Sequence, residues 1–173
     1  MTSLLDAPGR TGALHRPPVT ARPSFWRRPR TLDLLLATLS SLVTAGVIAV
    51  GIGHYPAAGG DEGIYTDQAF AVLRGHITPY TYTYDHPFLG WVQLAVLSWF
   101  TQLTHIGGQM TVINDRAVMV VYAFATLMLT YGIGHRLGMR RVFSVLAVLL
   151  LGLSPLYIVD ARQVFLDNIA MAW

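Results

Sequence analysis

Residues 117–134, AVMVVYAFATLMLTYGIG, and 142–159, VFSVLAVLLLGLSPLYIV, decide the fold, because each is 18 residues long without a charge. Between them lies HRLGMRR, residues 135–141, with one histidine and three arginines. Eighteen residues make a helix of about 27 Å, close to the ~30 Å hydrocarbon thickness of a bilayer. The pattern predicts a helical hairpin with a basic tip. Upstream, residues 34–53 form a run of 20 uncharged residues with no small-residue cleavage site close behind, which fits a retained first span better than a cleaved leader. Residues 1–31 combine Pro, Arg, Gly and Thr without a hydrophobic period and read as a flexible basic tail. Residues 164–173 read as the start of a fourth helix, which leads us to expect a piece of a longer multi-pass protein.

Composition supports the same class. Hydrophobic residues make up 53% and charged residues 12%, about half the charged share of a soluble domain. The chain has no cysteine, which excludes disulfides and thiolate metal sites, so any metal would take Asp, Glu or His ligands. The basic residues cluster at Arg22, Arg27, Arg28 and Arg30 and again at His135, Arg136, Arg140 and Arg141. Flanking apolar runs, they read as orientation signals rather than a nucleic-acid surface. No phosphate-binding loop, dinucleotide fingerprint, zinc-protease motif or nucleophile elbow occurs.

Residues 87–104 are also uncharged and hydropathy alone would make them a span. That topology would place the basic turn at 135–141 on the opposite side from the arginine-rich tail, against the positive-inside tendency. A helix lying along the interface, or re-entering, puts both basic clusters in the cytoplasm. Trp91 and Trp99 suit headgroup depth, and Gln93, Ser98 and Gln102 add polarity. Residues 54–116 then form one external loop. Within it, residues 62–74 read as a short amphipathic helix with Tyr65, Ala69, Val72 and Leu73 on one face and Gly75 as its stop. The fold class expected is therefore all-α, a multi-pass transmembrane bundle with interfacial helices in its first external loop. Residues 32–173 belong to that membrane domain.

Three groups of residues carry candidate chemistry. Asp61 and Glu62 stand at the start of the loop helix, where they could act as general base or simply cap the helix and meet its dipole. Asp85 and His86 precede Pro87, a combination that could bind phosphate or cap the next helix. Arg162 could hold a phosphate, with Asp160 and Asp167 nearby, or form a surface pair with Asp160. Asp115-Arg116 reads as an interfacial pair or cap, and Ser154-Pro155 as a kink.

These stretches also resemble a known family. Gly60-Asp61-Glu62, the helix ending in Arg74-Gly75, Pro79-Tyr80 and Tyr84-Asp85-His86-Pro87-Phe88-Leu89-Gly90 are similar to the first external loop of GT-C membrane glycosyltransferases. The branch resembled is the protein O-mannosyltransferase and aminoarabinose transferase-like group, whose donors ride on a phospholipid carrier. Leu153-Ser154-Pro155-Leu156-Tyr157, Arg162 and Leu166-Asp167-Asn168 are similar to that group's third and fourth helices. The family's second proline after Asp-His-Pro is Phe88 here.

The resemblance implies transfer of a sugar from a polyprenyl-phosphate donor to a glycan, lipid or protein acceptor on the outer face of a cell membrane. It places the essential acid at Asp61, with Glu62 beside it, and donor or acceptor contacts at Asp85, His86, Arg162 and Asp167. A divalent cation is compatible with the pattern, its ligands unassigned. The family fold has many more helices than these residues supply, so an incomplete and inactive part of the enzyme is expected. Two other classes fit the acids: a transporter or channel segment, or a non-catalytic scaffold subunit of a glycosylation complex. A transporter's acids should lie deep in the spans, whereas most here fall between them.

Overall fold

The computed structural model describes residues 31–76, 88–103 and 112–173, and all the regular structure among them is helical. In chain order the helices are α1 (Thr31–Ala49), α2 (Gly60–Leu73), α3 (Leu89–Leu103), α4 (Val112–Arg136), α5 (Arg141–Gly152), α6 (Pro155–Ala161) and α7 (Leu166–Met171). Of the expected tail, residues 1–31, all but Thr31 lie outside the described residues, as does the Asp85-His86 unit.

In α1 the usual sorting of side chains is reversed. Ala37, Ser40, Ser41, Thr44 and Ala45 face inward, whereas Leu35, Leu39, Leu42, Val43 and Val47 are exposed. Small inward residues let helices approach closely, and large apolar residues facing outward suit hydrocarbon rather than water. Two of the buried hydroxyls are satisfied within the helix: Ser40 Oγ donates to the Leu36 carbonyl at 2.7 Å and Thr44 Oγ1 to the Ser40 carbonyl at 2.9 Å. α1 and α4 are each long and apolar enough to cross a membrane, which points to membrane association.

The helix α4 is the shared wall of two cores. Ala123, Leu127 and Tyr131 pack with Ala37 and Ile48 of α1, Val148 of α5 and Tyr157 of α6. Val118, Met119 and Tyr122 pack with Ala69 of α2, Leu94 and Ala95 of α3, and Ile169 of α7. α1, α4 and α5 meet tightly at Gly152, where an added Cβ would stand 2.7 Å from Thr44 Cβ and 3.0 Å from Leu127 Cδ2.

Three expected boundaries change. The first span begins at Thr31, not 34, so Asp33 is inside the helix, where Arg141 Nε donates to it at 2.6 Å. The second extends back from 117 to Val112, because Asp115 and Arg116 are buried with partners instead of marking an end. The span 142–159, with its expected kink at Ser154-Pro155, is divided into two helices, α5 and α6, bent by 65° at Leu153 and Ser154. Pro155 opens α6, and its ring and missing N–H are incompatible with a continuous helix there.

The described residues of α3 number 15 and span about 22 Å, short of the ~30 Å bilayer core. α2 packs against it and ends in a turn where Gly75 takes φ +81°, the left-handed conformation that makes glycine the stop residue.

Candidate functional site

The site is built around the two adjacent acids at the head of α2. Gly59 is the N-cap, so Asp61 and Glu62 occupy the second and third helical positions. Successive residues on a helix point about 100° apart, and here the difference separates them completely. Glu62 is fully buried, while Asp61 is exposed.

Glu62 receives four donors. Arg116 gives Nε to Oε1 at 2.8 Å and Nη2 to Oε2 at 2.7 Å, a bidentate pair. The Val164 N–H donates to Oε1 and the Gly59 N–H to Oε2, both at 2.9 Å. Burial pushes the Glu62 carboxyl up, but the Arg116 and backbone hydrogen bonds and the Arg116 charge outweigh it and hold it below its ordinary value. Arg116 is occupied in turn: Nη1 donates to the Ile52 carbonyl at 2.9 Å and the Pro56 carbonyl at 2.8 Å. One ion pair thus ties the segment after α1, the head of α2, the start of α4 and the turn before α7.

This arrangement makes Glu62 a buried anchor among the described residues, in place of the catalytic acid expected beside Asp61. Asp61 has no hydrogen bond or ion pair to any described residue, and its backbone is fixed by the anchored neighbour. A carboxylate held this way can accept a proton or orient a hydroxyl.

Asp115 and Arg116 do not pair with each other. Asp115 accepts a hydrogen bond from Ser98 Oγ of α3, while Arg116 turns to Glu62. Nor does Arg162 pair with Asp160. Its Nε donates to the Ile48 carbonyl at 2.9 Å, and its Nη2 donates to the carbonyls of Val47 at 3.0 Å and Val50 at 2.8 Å. Those are carbonyls at the C-terminal end of α1, which lack helical donors and carry the negative pole of the helix. Nη1 of Arg162 has no partner among the described residues.

The turn carrying Arg162 is braced by Asn168 Nδ2, which donates to the carbonyls of Asp160 and Gln163, both at 3.0 Å. It lies against the head of α2, since a Cβ on Gly59 would sit 3.7 Å from Gln163 Nε2. Asp61, Arg162 and the Asp160–Asp167 region therefore share one end of the bundle. Asp167 is exposed and lines a cavity of about 380 Å³ between α3 and α7, otherwise mostly apolar. Asp160 and Asp167 are near enough for their charges to repel.

Among the described residues no group of three or more His, Asp or Glu side chains could hold a metal ion. The described residues by themselves supply no divalent-cation site. Sequence reasoning missed the Glu62–Arg116 and Asp33–Arg141 pairs. The available signal was the cost of an unpaired charge in so apolar a chain, which favours a cation or hydrogen-bond donors beside each buried acid.

Comparison with known proteins gives no matching family model, no matching curated protein and no matching solved structure.

Proposed function

We propose that the chain is part of a multi-pass membrane glycosyltransferase of the GT-C type, using a polyprenyl-phosphate sugar donor. The observation that carries this reading is the separation of the adjacent acids: Asp61 stands exposed on a backbone that buried Glu62 locks in place. Asp61 has no hydrogen bond or ion pair among the described residues, so its carboxylate is open to a substrate as well as favourably placed at the helix N-terminus. The resemblance of the loop sequence to that family supplies the substrate class.

In this reading α1 and α4 cross the membrane and the bent pair α5–α6 forms a third passage. The turn bearing Arg136, Arg140 and Arg141 faces the cytoplasm by the positive-inside tendency. Asp61 then lies at the outer face with α2 and α3 along the interface. Asp61 takes the proton of an acceptor hydroxyl as its oxygen attacks the anomeric carbon. The bond from that carbon to the donor phosphate oxygen breaks, and the lipid phosphate leaves with the electron pair. Attack from the opposite face inverts the anomeric centre. The Nη1 group of Arg162 is available to neutralise the departing phosphate.

The test uses membranes carrying the complete product of the reading frame and a radiolabelled polyprenyl-phosphate sugar. Asp61→Asn should lower transfer by about 10²–10⁴-fold at unchanged protein abundance. Near-normal transfer by that variant would sink the assignment.

A further inference from the structure

One polar side chain at the Asp61 end is used neither by the transfer step nor by the ion pairs. Gln163 is half-buried, and its amide has no hydrogen bond to a described residue. Its backbone, by contrast, is held from several sides. The Gln163 N–H donates to the Asp160 carbonyl at 3.0 Å, and its own carbonyl accepts from the Phe165 N–H at 2.8 Å and from Asn168 Nδ2 at 3.0 Å. The next N–H, that of Val164, donates to buried Glu62 at 2.9 Å. A side chain on so constrained a backbone loses little further freedom when it meets a ligand.

The amide stands against the head of α2. Its Nε2 lies 3.7 Å from where a Cβ on Gly59 would be, whereas a Cβ on exposed Gly60 would meet nothing within 4 Å. Gly59 and Asp61, two positions apart at a helix start, have Cα atoms about 5 Å apart. The Gln163 amide and the Asp61 side chain thus meet the same turn of backbone, with bare Gly60 between them. An amide offers a donor and an acceptor side by side, whereas a carboxylate offers only acceptors. Two neighbouring hydroxyls of a sugar complement that set: one gives its proton to Asp61, and the next bonds the amide through its lone pair or its proton.

We infer that Gln163 is a specificity-determining residue and that the acceptor is a polyol, a glycan or sugar head group with a hydroxyl adjacent to the attacking one. The inference rests on the transfer reading above. A lone serine, threonine or alcohol hydroxyl would meet Asp61 and forgo the amide's hydrogen bonds, which lowers its affinity. An extended peptide pairs through a run of main-chain groups. The N–H groups beside the amide, those of Gly59 and Val164, are both taken by Glu62, so no such run is offered.

Membranes carrying the complete product of the reading frame test this with the polyprenyl-phosphate sugar that the parent transfers. The acceptors are an octyl hexopyranoside, its monodeoxy analogues, octanol and a serine peptide. The parent should favour the hexopyranoside over octanol and the peptide by about tenfold or more in kcat/KM, and loss of the hydroxyl next to the attacking one should cost about tenfold. Gln163→Met, close in size but without strong hydrogen-bonding groups, should raise KM for the hexopyranoside about tenfold at little change in kcat, and should treat it and that deoxy analogue alike. Its unfolding temperature should match the parent's. A lower unfolding temperature with losses spread evenly over all acceptors would make Gln163 structural and overturn the proposal. So would a variant that keeps the parent's discrimination, a parent that uses octanol or the peptide equally well, or discrimination that follows deoxy donors instead of deoxy acceptors. Should Gln163→Met fail to accumulate, Gln163→Ala and the parent's acceptor series decide. A parent that transfers to none of these acceptors or to its native membranes fails the proposed function itself, whereas a parent that transfers without dependence on the neighbouring hydroxyl fails only this inference.

Discussion

Glu62 and Arg116, 54 positions apart, form a bidentate ion pair with side-chain exposures of 0% and 2%. Each also serves the backbone, Glu62 accepting from Gly59 and Val164, and Arg116 donating to Ile52 and Pro56. Removing one partner leaves a buried charge uncompensated. Glu62→Gln should therefore cost about 3–5 kcal/mol of stability. Asp61→Asn, one residue away on the surface, should stay within about 0.5 kcal/mol of the parent. Thermal unfolding of the detergent-purified variants checks both, and equal losses would contradict the partition of the two acids.

The same pair sets an acid limit. Because the folded Glu62 carboxyl sits below its ordinary value of 4.5, the unfolded chain binds its proton more readily. The stabilisation is present in full above the unfolded value and is lost as pH falls through the lower folded one. Glu62→Gln lacks this linkage, so its stability should decline less steeply than the parent's below about pH 4.5. Parallel acid-unfolding curves would show that Glu62 is not held as described.

What the sequence revealed follows the range of the interactions involved. The break at Ser154-Pro155 and the stop at Gly75 are properties of single residues, and both were legible. The start of α4 was not, because Arg116 ends a helix only when it must reach water, and here Glu62 meets it inside. Asp33 was hidden for the same reason, its partner Arg141 lying 108 positions away. Nor could local sequence say which of Asp61 and Glu62 turns inward. That depends on where Arg116 and the Val164 N–H arrive, which only the packed helices determine.

Two glycines should respond oppositely to the same change. At Gly152 an added methyl would meet Thr44 Cβ at 2.7 Å, and neither backbone can yield easily. Gly152→Ala should destabilise the α1–α4–α5 packing by about 1–3 kcal/mol. A Cβ at Gly46, in α1, meets nothing within 4 Å. Gly46→Ala should be neutral or stabilising by up to about 1 kcal/mol, through helix propensity alone. Unfolding temperatures of the two variants in one detergent provide the comparison.

Arg162 is the residue for which the sequence expectation and the observed contacts differ most in emphasis. Its Nε and Nη2 groups hold three carbonyls at the end of α1, leaving only Nη1 for a phosphate. Lysine carries the charge but lacks the planar fork that reaches three carbonyls together. Arg162→Lys should therefore lower stability by about 1–2 kcal/mol, and Arg162→Ala by about 1–3 kcal/mol, as the partly exposed carbonyls lose their donors. If Arg162 served phosphate alone, both variants would unfold at the parent's temperature and lose only transfer. Measuring unfolding and sugar transfer on the same preparations separates the two, because a capping role must move the first readout whether or not it moves the second.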